Sequence, residues 1–208
     1  MTLRTCDRSR RWAADGGIQI IHAIDGLGVE DYDAPSILPS WSRRHVVAHL
    51  ASNAEALSNL VHWAQTGTPT PMYASPEERA AGIERGTNMS PAALDSWLRD
   101  ADAKLIATWN TLDDGQWTAE VVTAQGRTVS AEDIPWLRAR EVWVHLVDLD
   151  RGAGFGDLPE DFLTALRHDV RVKRGDVPAV SGPLAEEVAW LTGRPHSMHD
   201  APSIPPWL

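Results

Sequence analysis

Cysteine is nearly absent: Cys6 is the single one in 208 residues. An intrachain disulfide is therefore impossible. A structural zinc site of four thiolates, or of two thiolates and two imidazoles, is excluded with it. Any thiol chemistry must use Cys6, close to a chain end, or a thiol brought from outside. Positive charge is also scarce: 19 Lys and Arg stand against 29 Asp and Glu, a formal charge of −10. Without a basic footprint the chain is not a nucleic-acid binder. No apolar run approaches the roughly 20 residues that span a bilayer. Met1 to Cys6 carries early charge with no apolar stretch behind it, so no signal peptide is expected and the cytoplasm is the expected compartment.

A 43% hydrophobic fraction with 23% charged residues is that of a soluble globular protein. The length suits one domain of good size with a small appendage. Tyr and Phe number two each, whereas Trp numbers ten. Trp is mainly a packing residue, so most of the ten are expected in the core.

Apolar spacing predicts four long helices. The first covers roughly Thr5 to Asp25, with Gly16-Gly17 expected to weaken its middle. The second opens on Ser42 as N-cap, follows Val46, Leu50, Leu57, Val61 and Ala64, and stops at Gly67. A proline-rich link with a short helix around Glu77–Glu84 follows. The third opens on Ser90-Pro91 and runs to about Leu112. Short β-prone runs around Gly126, within 120–129, read as a hairpin. The fourth starts near Ser130 or Ile134 and ends before Gly152. The Gly-rich stretch 152–156 is the expected boundary between a bundle (1–151) and a C-terminal subdomain (157–208). There, helices are expected around Pro159–Val170 and Pro183–Thr192, with a strand at Val170-Arg171-Val172. The fold class predicted is mainly α: a four-helix bundle with a small α+β C-terminal extension.

The fourth helix carries the chemistry. Ile134, Leu137, Glu141, Val144, His145 and Asp148 fall on one stripe, the one that should face the core. A buried carboxylate is costly unless it is paired or bound to a metal. Glu-x-x-x-His places both side chains on one face, about 5–6 Å apart at Cβ. On the second helix His49 shares a face with Val46, Leu50, Asn53 and Leu57. His49, Glu141 and His145 could thus meet inside the bundle as two imidazoles and one carboxylate, the ligand pattern of a catalytic metal with an open position. The competing reading is an ordinary i,i+4 pair plus a hydrogen-bonded core histidine. His45, one turn before His49, is a rival ligand, discounted because it follows Arg43-Arg44 at the helix start. Asp148 reads equally as an acceptor behind a ligand histidine or as a solvated helix end. Arg194 reads as a cation at a helix C-terminus or as an anion clamp.

Two strings carry a family resemblance. Leu38-Pro39-Ser40-Trp41-Ser42-Arg43-Arg44-His45-Val46-Val47-Ala48-His49-Leu50, continued by Asn53-Ala54-Glu55-Ala56-Leu57, resembles the start of helix two in the mycothiol-dependent maleylpyruvate isomerase family. Asp133-Ile134-Pro135-Trp136-Leu137-Arg138-Ala139-Arg140-Glu141-Val142-Trp143-Val144-His145 resembles that family's second hallmark. The likeness covers about residues 1–150, and more loosely Trp190-Leu191-Thr192-Gly193-Arg194. Ser40 departs from the glycine usual before the Trp, and the segment after the bundle is shorter than in the well-known isomerases.

The resemblance implies a DinB-like four-helix bundle. It implies a divalent metal, usually zinc, on His49, Glu141 and His145, mycothiol as thiol cofactor, and Arg194 as an arginine needed for activity. The function it implies is cis–trans isomerisation of a maleylpyruvate-like electrophile by thiolate addition, rotation and elimination. The alternatives are mycothiol S-transfer, a non-catalytic small-molecule-binding bundle, and metal-assisted hydrolysis. Partners are a small electrophile and a low-molecular-weight thiol, with monomer and homodimer both open.

Overall fold

The computed structural model describes residues 4–205 and 207. The chain divides into two compact units, Cys6–Asp150 and a second that takes Arg151 onward together with Arg4 and Thr5.

The first unit is built on α1 (Cys6–Ile24), a short α2 (Val29–Asp33), α3 (Arg43–Thr66), α4 (Pro76–Thr87), α5 (Pro91–Trp109), a one-turn α6 (Asp114–Trp117) and α7 (Ile134–Asp148). The expected hairpin is present: β1 (Glu120–Val122) pairs antiparallel with β2 (Thr128–Ser130), Val121 opposite Val129. The four long helices α1, α3, α5 and α7 form the bundle, with α1 beside α7 and α5, and α3 beside α5 and α7. Local chemistry sets the ends. The Ser90 and Ser75 hydroxyls accept from Ala93 and Glu78 amides one turn into α5 and α4. Gly67, at φ 70°, closes α3 in the left-handed region that glycine tolerates. Trp12, Trp109, Trp136 and Trp143 are buried in this unit.

Gly16 and Gly17 do not weaken α1; they are its docking surface. A Cβ on Gly16 would lie 2.5 Å from Val142 Cγ2, and one on Gly17 would lie 2.7 Å from Asp102 Oδ2. The missing side chains let α1 approach α7 and α5, which outweighs their poor helix propensity.

The second unit holds α8 (Glu160–Arg174) and α9 (Leu184–Leu191), which pack on each other. Arg167 and Arg171 of α8 converge on the buried Glu187 carboxylate of α9 at 3.3 and 2.6 Å. The strand expected at Val170–Val172 is instead the continuation of α8, with Val170 buried and Val172 exposed. Two β-branched residues do not outweigh the amphipathic helical register of their neighbours. Among its described residues this unit is helical, not α+β.

Candidate metal centre

The bundle brings His49, Glu141 and His145 together. His49 Nε2 is 2.8 Å from Glu141 Oε2, and His145 Nε2 is 3.3 Å from the same oxygen. One ligand atom from each residue lies within 4.8 Å of the others. The two imidazoles meet edge to face with centroids 4.8 Å apart. Exposure is uneven: the side chains of His49 and His145 retain 6% and 12%, and that of Glu141 retains 26%. The cluster therefore opens to solvent on the Glu141 side.

The start of α3 is tied to the end of α7, which fixes this register. Arg43 donates from Nε to the Leu149 carbonyl and from a terminal nitrogen to that of Asp150. The Ile37 amide donates to the Asp148 carbonyl. The loop between them folds on itself, with Ser36 donating from its amide and its hydroxyl to the Trp41 carbonyl. That sets the Trp41 ring against His49, centroids 5.7 Å apart, and against His45 at 6.0 Å. Ser40 turns the loop at φ 66°, a region unfavourable for any residue with a Cβ. The glycine usual at this place in the family thus has a conformational reason.

Asp148 is fully buried, with Oδ2 2.8 Å from His145 Nδ1. It is the acceptor behind the histidine, not a solvated helix end. His45 is no ligand of the cluster. Its Nδ1 accepts from the Ser42 amide and lies 2.8 Å from the Ser42 hydroxyl, closing the N-terminus of α3.

Burial and hydrogen bonding pull the three groups in different directions. Burial lowers the His49 pKa, offset in part by its hydrogen bond to Glu141. Burial alone would raise the Glu141 pKa, but hydrogen bonds from His145 and His49 outweigh it and hold the carboxyl well below its usual range. Burial would lower His145, but hydrogen bonds to Asp148 and Glu141 prevail and raise it. Glu141 is thus ionised.

The donor set suits a divalent cation. With Asp148 accepting a hydrogen bond from His145 Nδ1–H, the neutral imidazole turns the lone pair of Nε2 toward Glu141 Oε2. Two acceptors facing each other at 3.3 Å need a proton or a cation between them. Zinc bonds of about 2.0–2.2 Å in tetrahedral array put neighbouring ligand atoms roughly 3.4 Å apart. The two distances to Glu141, 2.8 and 3.3 Å, fall short of that spacing by a few tenths of an ångström, so a small outward shift of the side chains would seat the ion. His49 Nδ1 is buried without a hydrogen-bond partner among the described residues.

Two further candidates remain, Arg194 and Cys6. Arg194 belongs to the second unit, after Gly193 at φ 71°, and donates to the Thr192 carbonyl at 2.6 Å. That contact is the expected one for a cation at a helix C-terminus. Cys6 is half-buried, and burial pushes its thiol up to about 11, leaving little thiolate at neutral pH. The sequence reading missed Trp41 as a neighbour of the centre, although it stood inside the quoted string.

No helix among the described residues is long and apolar enough to cross a membrane. The profile of the mycothiol maleylpyruvate isomerase N-terminal domain matches residues 14–150. The crystal structure of a mycothiol-dependent maleylpyruvate isomerase superposes with TM-score 0.90 at 33% identity, covering all of both chains. A variant of that enzyme with one histidine replaced by alanine matches equally well. YfiT from Bacillus subtilis, described as a probable metal-dependent hydrolase with an unusual four-helix bundle topology, shares the fold. Its TM-score is 0.57 at 18% identity, over 70% of this chain and 83% of its own. No curated protein sequence matches the chain. By its profile match and its full-length likeness, the chain belongs to the mycothiol-dependent maleylpyruvate isomerase family.

Proposed function

We propose that the protein is a metal-dependent isomerase that uses mycothiol to convert a maleylpyruvate-like cis substrate to its trans form, with zinc or a similar ion on His49, Glu141 and His145. The observation that carries this reading is the approach of two Nε2 atoms to one ionised carboxylate oxygen in a bundle of this family. A bound divalent cation would hold an external thiol as thiolate at neutral pH, since coordination deprotonates thiols. The reaction class is thiol addition to a double bond conjugated with a carbonyl, rotation about the resulting single bond, and elimination of the thiol. The thiol is regenerated, so atoms balance without a further reactant.

The chain's own residues have defined parts. Asp148 orients His145 and keeps its Nε2 aimed at the centre. Trp41 packs over His49 and excludes water from that side. Glu141 would neutralise one charge of a bound cation while leaving the cluster open to solvent on its own side. Cys6 takes no part, consistent with its raised pKa. Arg194 enters through the family resemblance alone. Its proposed role is in turnover, so Arg194→Ala should lose activity and keep its metal.

Metal analysis tests the reading. Protein purified without added metal should hold about one zinc or similar ion per chain, and His49→Ala and Glu141→Ala should each lose it. Maleylpyruvate should then turn over only with mycothiol and wild-type protein. A wild type unable to take up zinc ends the reading. Turnover without any thiol would favour hydrolysis, and a stable thioether product would favour S-transfer.

A further inference from the structure

The two imidazoles of the centre are backed differently. His145 Nδ1 has the fully buried Asp148 carboxylate behind it, with Oδ2 at 2.8 Å. His49 reaches the same Glu141 oxygen through Nε2, yet its Nδ1 is buried and meets no hydrogen-bonding nitrogen or oxygen among the described residues. An imidazole that binds a cation through Nε2 carries its hydrogen on Nδ1. A buried N–H without an acceptor is costly, so this hydrogen needs a destination.

Two rings lie against His49 among the described residues. That of His145, with centroids 4.8 Å apart, shares the Glu141 side, where both Nε2 atoms point. That of Trp41 stands at 61° to the imidazole with centroids 5.7 Å apart, an edge-to-face arrangement. An aromatic face is negative and accepts an N–H weakly. It also adds no net charge. Glu141 and Asp148 already supply two negative charges to a divalent centre. A third carboxylate behind His49 would leave that centre net negative before any thiolate arrived.

The place of the indole is over-determined. The Trp41 carbonyl accepts from the amide and the hydroxyl of Ser36, and its amide donates to the Leu38 carbonyl at 3.1 Å. His45 stacks on the indole at 29° with centroids 6.0 Å apart. His45 is itself fixed, since its Nδ1 accepts from the Ser42 amide at 3.2 Å. Ser40, next in the loop, holds φ 66°. Backbone strain of that kind persists only where the surroundings enforce it.

We infer that Trp41 is a positioning residue of the centre: its indole face accepts the His49 Nδ1–H, doing for His49 without charge what Asp148 does for His145. The inference rests on the metal-centre reading under Proposed function.

Magnetic resonance of zinc-loaded protein with nitrogen-labelled histidine tests it. A hydrogen over an aromatic face is shielded, and one at a ring edge is deshielded. The His49 Nδ1–H signal should lie upfield in the wild type and move downfield in Trp41→Leu. The His145 signal, assigned by its response to Asp148→Asn, should stay. Trp41→Phe keeps a smaller aromatic face, so its signal should fall between the two; where solvent exchange hides the signal in Trp41→Leu, this variant decides by the same sign. Zinc affinity, read by chelator competition, should fall about threefold in Trp41→Leu, the worth of one weak N–H contact to an aromatic face, and recover in Trp41→Phe. A His49 signal that moves upfield or stays put on losing the indole overturns the inference. So does a loss of affinity that Trp41→Phe fails to recover, the mark of simple packing. Failure of the metal-centre reading shows separately, as a wild type that takes up no zinc.

Discussion

Two polar clusters sit about one turn apart between the same helices, α3 and α7, and they are finished differently. Arg138, one turn before Glu141, is 1% exposed and spends its donors on Asp102 Oδ1, the Leu50 carbonyl and Asn53 Oδ1 at 2.8–3.1 Å. Charge, fork geometry and donors are matched within the protein. In the second cluster an ionised Glu141 faces two imidazoles, His49 Nδ1 has no partner, and one side meets solvent. Buried polar groups in folded proteins are normally paired. The first cluster obeys that rule and holds helices together; in the second a cation would complete the pairing of the Glu141 carboxylate with the two Nε2 atoms.

The largest expected effect breaks the first cluster. Arg138→Met leaves the Asp102 carboxylate buried with no counter-charge and should cost about 3–5 kcal/mol of stability. Adding Asp102→Leu should return much of that loss, because an apolar pair can replace a buried ion pair. Glu141→Gln, in chelator-treated protein, should cost only about 1 kcal/mol, the net worth of a hydrogen bond. Denaturant melts of the four proteins check this. Equal losses for Arg138→Met and Glu141→Gln would erase the distinction between a structural cluster and a site.

Asp148 sharpens the contrast from within the second cluster. Asp148→Asn retains the shape and an acceptor for His145 Nδ1 but removes the charge that raises the basicity of the imidazole. Zinc affinity should fall roughly tenfold to a hundredfold, read by competition with a chromophoric chelator. An unchanged affinity would mean that the carboxylate serves only to pack the end of α7.

The contrast also explains what the sequence could reveal. Glu141 and His145 are legible because helical spacing places them on an apolar stripe, and a carboxylate on such a stripe is costly enough to need a reason; Asp148 shares that stripe, but its place near the helix end leaves a solvated role equally open until its burial is seen. His49 was legible for the same reason on α3. Arg138 lies one turn before Glu141 on the same helix, yet nothing local distinguishes its pairing, since Asp102 comes from a third helix. Gly16 and Gly17 were read by propensity, whereas their role is a close approach that exists only once α7 is in place. Val170–Val172 read as β by residue type, although its neighbours carry a helical register.

The smallest effect lies in the loop that carries Trp41. Ser40 holds φ 66°, where a residue with a Cβ is roughly 1–2 kcal/mol worse than in its preferred regions. Ser40→Gly removes that strain but adds freedom to the unfolded chain, a loss of about 0.5–1 kcal/mol. The net expectation is a gain of well under about 1.5 kcal/mol. The Ser36 bonds to the Trp41 carbonyl hold the loop from the other side, so the Trp41 ring should stay on His49. Thermal melts should therefore rise slightly while zinc affinity stays constant. A shift in zinc affinity instead would show that strain at Ser40 is transmitted through Trp41 to His49. The boundary between scaffold and site would then have to be drawn around the loop.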